Sequence, residues 1–297
     1  VRPPTSQGET IVRVAVVLAT YNQELWLEKA LWGYAAQTHR DFDIIVADDG
    51  SGPATAEVIA RLRRDAKLRI SHVWHEHRGF GKWEIVNRAI ASSDADYMIF
   101  SDGDCIPRDD FIQRHIELAE PGRFLAGGYL KLPMGVSERI TVDDIRGGRV
   151  ADLGFLWRAG YRPGHRALRL LRSMPIATLL DAVTPTPSSW RGNNSSVWRD
   201  GLIAVNGFDN DMGYGSGDRA IGERLINLGY RSKRIRFRTA VLHLHHERPW
   251  RNNTEVARNE ELIATRVWRD KEVRARVGIA ELEPLDHASP YKSDSTE

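Results

Sequence analysis

The chain carries one cysteine, Cys105, in 297 residues. That excludes an intramolecular disulfide framework and fits a reducing compartment, so we expect a cytoplasmic protein. No run of about 18 apolar residues is present, which excludes a spanning helix within this sequence. No signal peptide is visible, although a trimmed N-terminus would hide one. Net charge is almost lacking too: Lys+Arg 42 against Asp+Glu 40 leaves +2. Such a balance argues against a general nucleic-acid binder. Internal repeats and low-complexity segments are missing as well. What is there is 41% apolar and 28% charged residues, enough for a sizeable core.

The first half alternates between two periodicities. Val12–Ala19, Phe42–Ala47, Arg69–Trp74 and Tyr97–Phe100 read as short buried strands. Between them Glu24–Gln37, Ala54–Arg64 and Lys82–Ala91 read as helices, the first with Leu27, Leu31 and Tyr34 on one face. This alternation predicts an α/β domain with a mostly parallel sheet and helices on both faces. The second half is less regular. Phe124–Leu130 reads as an edge strand, Asp218–Leu228 as a helix closed by Gly229, and Ala240–Leu244 as a short strand before His245 and His246. Thr254–Val277 reads as one long charged helix. The expected division is a disordered lead-in (1–10), a nucleotide-binding half (11–132), an acceptor-binding and catalytic half of the same domain (133–250), and a C-terminal helix and tail (251–297).

Ligands of open α/β sheets bind beyond the carboxyl ends of the strands. Three polar clusters fall there: Tyr21-Asn22, Asp48-Asp49 and Asp102-Gly103-Asp104. Two carboxylates spaced i, i+2 at a strand tip point to one side and suit a hard divalent cation, which can hold a diphosphate. Alone the triplet is also what a polar turn after a strand looks like. The Gly-bearing stretch His77-Arg78-Gly79-Phe80-Gly81-Lys82 opens a helix, a setting that favours anions. The tyrosine ring of Tyr21 can stack on a base, and a carboxylate of the Asp48-Asp49 pair can accept from a base or ribose. Between Leu153 and Leu180 lie five arginines (Arg158, Arg162, Arg166, Arg169, Arg172) and no acid. Read as an amphipathic helix, this stretch is either a solvated face or a surface for an anionic membrane.

These blocks, in this order, resemble the family 2 inverting glycosyltransferases, whose nucleotide-sugar-binding fold is of the GT-A type. The resemblance covers residues 12–250. It rests on Val17–Asn22, Ile45–Ser51, Phe100–Asp104, Arg191-Gly192-Asn193-Asn194, Asn206–Asp209 and Gly213–Leu225. The last is similar to a Gly-Trp-Gly-x-Glu-Asp block of chondroitin-polymerase-like and galactosyltransferase-like members, with Gly217 in place of the Glu. The resemblance implies transfer of a sugar from a nucleotide diphosphate, expected to be uridine-linked, to a glycan or lipid-linked hydroxyl in bacterial surface polysaccharide synthesis. It implies Asp49, rather than Asp48, with Ala19 and Tyr21 for the nucleoside, and Lys82 or Arg78 near the donor. Asp102, Gly103 and Asp104 would serve the diphosphate and a Mn2+ or Mg2+ ion. One histidine past the last strand, His243 ahead of His246, would complete the metal site and favour Mn2+. Asp218 would be the general base, and Trp190, Arg191, Gly192, Asn193 and Asn194 would line the donor-sugar or acceptor pocket. Two rivals stand beside this: a nucleotide-sugar-binding module that has lost activity, which Gly217 favours, and a sugar nucleotidyltransferase, which needs a further basic motif that is not found near the first strand.

Overall fold

A computed structural model of the chain describes residues 12–247 and 252–284. The expected lead-in and the tail from Leu285 lie outside the described residues. Among the described residues ten strands form two sheets: β1 (Val14–Thr20), β2 (Asp43–Asp48), β3 (Ile70–Trp74), β4 (Tyr97–Asp102), β5 (Cys105–Pro107), β6 (Arg123–Ala126), β7 (Gly128–Lys131), β8 (Ser195–Trp198), β9 (Arg231–Arg234) and β10 (Ala240–His243). The larger sheet has the order β3-β2-β1-β4-β8-β6-β9 and the smaller the order β5-β10-β7. β1 to β4 run parallel. β8 is antiparallel to both β4 and β6.

β1 is apolar along nearly its whole length because both of its faces are covered. Val17, Ala47 and Phe100 belong to one core, which includes the helix Lys82–Ser92 through Trp83, Ile85 and Val86. Val16, Leu18 and Ile44 belong to the other, with Leu27, Leu31 and Tyr34 of the helix Glu24–Ala35. Register then aligns the strand ends. Thr20 lies opposite Asp48, and Ala19 opposite Asp102. The chain turns out of β1, β2 and β4 at one edge of the sheet.

Three expectations are corrected. Phe124–Leu130 is two strands in two sheets, and β6 is interior because β9 pairs beyond it. The break is at Gly127, where a Cβ would sit 2.0 Å from Asn194 Oδ1, so the chain must step aside to admit that side chain. The arginine-rich stretch is three short pieces, Leu153–Arg158, His165–Leu170 and Met174–Val183. Gly160 at φ 107, Pro163 and Gly164 interrupt it. Its arginines do not share a face: Arg169 donates inward to the Tyr129 carbonyl, and Arg172 pairs with Asp109. Finally, the C-terminal helix Asn253–Leu262 continues only as a wider π-helical turn to Arg269 and stops there, short of Val277.

Candidate active site

The strand ends open into a cavity of about 580 Å3, a size suited to a nucleotide sugar. Its floor carries Ala19, Tyr21, Asp49, Asp102, Gly103 and Asp104. The turn after β4 folds back tightly on β1, with the Gly103 N–H donating to the Ala19 carbonyl at 2.8 Å. A Cβ at Gly103 would stand 3.1 Å from Thr20 Oγ1, so the close approach is best made by glycine.

Asp48 and Asp49 sit in different surroundings. Asp48 is fully buried; it accepts from the Ser51 N–H at 2.8 Å and meets His72 Nε2 at 2.9 Å. It closes the turn and does not reach the cavity. Asp49 lines the cavity, accepting from the Gly81 N–H at 3.0 Å and facing His75 Nε2 at 2.8 Å. Asp49 thereby ties the glycine-bearing loop to the floor. Tyr21 already has a stacking partner, the His77 ring at 4.2 Å and 13°. Sequence reading did not single out His77 or His75 for this.

Lys82 projects into the cavity and bonds Asp102 Oδ1 at 2.7 Å. Burial works against its charge, but Asp102, then Asp218 and Asp104, raise its pKa above the usual lysine value. Arg78 turns outward to Glu76 and is not part of the cavity wall.

Asp104 meets two histidines rather than one. His246 Nε2 is 3.0 Å from Asp104 Oδ2, and His243 Nε2 is 3.9 Å away. The expected order is thus reversed in distance, and the rings stack at 5.4 Å. The chain leaves β10 directly after His243 and curls back, which brings His246 to the same carboxylate. His245 is exposed and faces elsewhere. His243 Nδ1 donates to the Leu244 carbonyl at 2.7 Å and His246 Nδ1 to the Glu247 carbonyl at 2.8 Å. With the protons on Nδ1, both Nε2 lone pairs face a carboxylate. Two acceptors and an anion converging this way need a proton or a cation between them. Burial raises the Asp104 pKa, yet with a proton on Nε2 as well the charged His246 and His243 outweigh it and hold the carboxyl well below the usual carboxylate range. Asp104, His243 and His246 have ligand atoms within 4.8 Å of one another, as do Asp102, Asp104 and Cys105. A carboxylate with two imidazoles is a donor set that suits Mn2+ better than Mg2+.

Asp218 lies in the first turn of the helix Gly217–Asn227, whose cap is Ser216 at φ 62. Its Oδ2 accepts from the Gly192 N–H at 3.0 Å, so it reaches across the cavity instead of capping its own helix. Gly217 has a physical reason: a Cβ there would be 2.4 Å from the Trp83 ring. Trp83 fills the space, and with Phe80 and Tyr214 it forms an aromatic cluster on the cavity wall. These three were not foreseen; only their nearness in sequence to Lys82 and Asp218 hinted at them.

The loop Arg191–Asn194 is pinned from below. Asn194 is fully buried, donating to the Gly128 carbonyl at 2.7 Å and bonding His115 Nε2 at 3.0 Å. Arg191, Gly192 and Asn193 line the cavity. Trp190 and Asn194 do not, a correction to the expected pocket lining. Trp190 is 2% exposed and packs on Phe100, Phe124 and Phe208 in the core. His115 carries a pH signature. Burial, only partly opposed by Asn194, lowers its pKa to about 3. The folded state keeps it neutral, whereas the unfolded chain protonates it below about pH 6.5. Its stabilising contribution is therefore complete above that pH and falls as pH drops toward 3, by up to about 1.4 kcal/mol per pH unit. We expect the thermal midpoint to fall across this window, with a shallower slope in His115→Gln; an unchanged slope would contradict the assignment.

The profile described as Glycosyl transferase family 2 matches residues 15–167. An uncharacterised glycosyltransferase of Nostoc is 28% identical over 107 residues, covering 36% of this chain and 33% of its own. A Campylobacter jejuni GalNAc(5)-diNAcBac-PP-undecaprenol beta-1,3-glucosyltransferase is 28% identical over 92 residues, covering 31% and 29%. The chain spans a third or less of the length of these relatives. Among solved structures, a mannosyltransferase from Pyrobaculum calidifontis in complex with GDP-Man and Mn2+ superposes with TM-score 0.54 at 18% identity, covering 88% of this chain and 62% of that one. The fold is of the GT-A type. The chain belongs to glycosyl transferase family 2.

Proposed function

We propose that the chain is a metal-dependent inverting glycosyltransferase that moves a sugar from a uridine diphosphate sugar to a hydroxyl of a glycan or lipid-linked acceptor. One observation carries this reading: Asp218, Lys82 and the Asp104–His243–His246 cluster face one cavity at the carboxyl ends of parallel strands. Tyr21, Asp49 and Ala19 take the nucleoside. Asp104, His243 and His246 hold the cation, with Asp102 beside them, and the cation when bound offsets charge on the departing diphosphate. Lys82 adds a fixed positive charge on the same side. Asp218 takes the proton from the acceptor hydroxyl as its oxygen bonds to the sugar's anomeric carbon. The bond from that carbon to the diphosphate oxygen breaks with it, so the anomeric configuration inverts. The family resemblance and the relatives' names support this reaction. Gly217 does not favour an inactive module, because Trp83 fills its place and Asp218 still reaches the cavity. A nucleotidyltransferase reading gains no separate observation. The test is a panel of nucleotide sugars in thermal-shift titrations with and without Mn2+. A midpoint raised by one uridine sugar only with the ion is expected; no shift with any of them would overturn the reading.

A bacterial surface glycan made at the inner face of the membrane is the setting we favour. Among the described residues no helix is long and apolar enough to cross a membrane. The helix Met174–Val183 instead leaves Ile176, Leu179 and Val183 at 50%, 61% and 64% exposure on one side, with the exposed Arg158, Arg162 and Arg166 earlier in the same acid-poor stretch. Vesicles containing phosphatidylglycerol should pull the protein down at low salt and lose it as salt rises. Ile176→Asp with Leu179→Asp should lower that binding at every salt concentration. Equal binding to neutral vesicles would contradict a charge-assisted contact.

A further inference from the structure

The helix Asn253–Leu262 holds the loop that leads into the proposed base. Asn259, fully buried, is the centre of the contact. Its Nδ2 lies 2.8 Å from the Gly215 carbonyl, 3.1 Å from that of Tyr214 and 3.3 Å from that of Gly213. An amide nitrogen carries two hydrogens. The Gly213 carbonyl also accepts from Trp83 Nε1 at 3.2 Å, which leaves both amide hydrogens for Tyr214 and Gly215. Neighbours on the same face of the helix complete the grip. Glu255 accepts from the Tyr214 N–H at 3.2 Å. Glu260 accepts from Ser216 Oγ and pairs with Arg219 at 2.8 Å. Val256 packs on Gly215 so closely that a Cβ there would stand 3.0 Å from Val256 Cγ2. Positions i, i+1, i+4 and i+5 form one stripe of an α-helix.

The loop needs this support because of its backbone. Gly215 and Ser216 both have left-handed φ, 90 and 62. Ser216 carries a side chain in a region that favours glycine, a conformation that persists where neighbours fix it. The Gly215 carbonyl joins the two elements. It accepts from Asn259 and also from the Gly217 N–H at 2.9 Å, one residue before Asp218. Tyr21, Asp49, Lys82 and Asp104 are held by other elements, the ends of β1, β2 and β4 and the helix Lys82–Ser92. We propose that Asn259 is a positioning residue: it fixes the turn Gly213–Ser216 and through it the reach of Asp218, so that the C-terminal helix acts on transfer and leaves donor binding alone. Asn259 lies outside residues 15–167, which the family profile matches. The inference rests on the transfer reading and adds a part of the chain to its machinery.

The experiment compares the full chain as wild type, Asn259→Leu, Asp218→Asn and the double variant. UDP with Mn2+ is titrated by calorimetry. Single-turnover release of UDP is followed from the uridine sugar that the thermal-shift panel selects. UDP affinity should agree within about twofold in all four. Asn259→Leu should slow release at least about tenfold, since a shift of about 1 Å at a catalytic group can cost 10²-fold. In the Asp218→Asn background the same change should cost less than about twofold, because the group it positions is already disabled. Glu260→Ala alters the same turn at a side chain 43% exposed and should slow release severalfold. If Asn259→Leu does not fold, Glu260→Ala decides, alone and with Asp218→Asn. Unchanged release in the variants of this helix overturns the inference. So does a loss that repeats in full in the Asp218→Asn background. A fall in UDP affinity as large as the fall in release gives the turn to the donor and overturns it too. These outcomes leave the transfer reading standing; a wild type that binds no UDP overturns both.

Discussion

Asp218→Asn should bind the nucleotide sugar about as well as the wild type and transfer it at least about 10²-fold more slowly. The amide keeps the size of the carboxylate and one oxygen toward the Gly192 N–H, 3.0 Å away in the wild type. What it loses is the capacity to take a proton. A fall in turnover with unchanged donor affinity marks a group that acts in the transition state. The position of the carboxylate makes the outcome informative, because Asp218 does not cap its own helix and removing its charge does not remove a cap. Full activity in the variant would mean that Asp218 only positions the Arg191–Asn194 loop. A product that retains the donor's anomeric configuration would remove the single displacement.

Asp104→Ala should be the most damaging change in the site, lowering activity by roughly three orders of magnitude or more. Asp104 is shared by both clusters of metal-ligating side chains, and it is the anion on which His243 and His246 converge. Without it the two imidazoles lose the carboxylate on which they converge, and the remaining one, Asp102, is bonded to Lys82. His246→Ala should cost less, roughly ten- to hundredfold, because Asp104 and His243 remain. Mn2+ titrations followed by calorimetry should weaken in the same order. Activity in Asp104→Ala that survives a chelator would contradict the cation site.

The sheet was legible because β1, β2 and β4 are runs of β-branched and apolar residues that end at a polar residue. The positions of Asp49, Asp102, Asp104 and Asp218 followed from that and from the resemblance. The misreadings have physical causes. Trp190 precedes a polar loop, and a tryptophan there reads as a sugar platform; whether it faces the cavity or the core is decided by Phe100, Phe124 and Phe208, which are distant in sequence. His246 lies past the strand end, where periodicity no longer says which way a side chain points. Gly127 breaks a strand only because Asn194 needs its space. Arg169, Arg191 and Arg236, close enough to act on one another's charge, come from the 3-10 segment His165–Leu170, the loop before β8 and the residues after β9. Charges so far apart in sequence become neighbours only through the strand order β8-β6-β9.

The proposed reaction requires a cation-dependent cleavage between sugar and diphosphate in this cavity. Its most direct test is chromatography of the nucleotide released when the full chain is incubated with a uridine diphosphate sugar, with Mn2+ and with chelator. UDP and free or transferred sugar are expected with Mn2+, and no release with chelator. Release of UMP or pyrophosphate, or equal release of UDP with and without the ion, would contradict it.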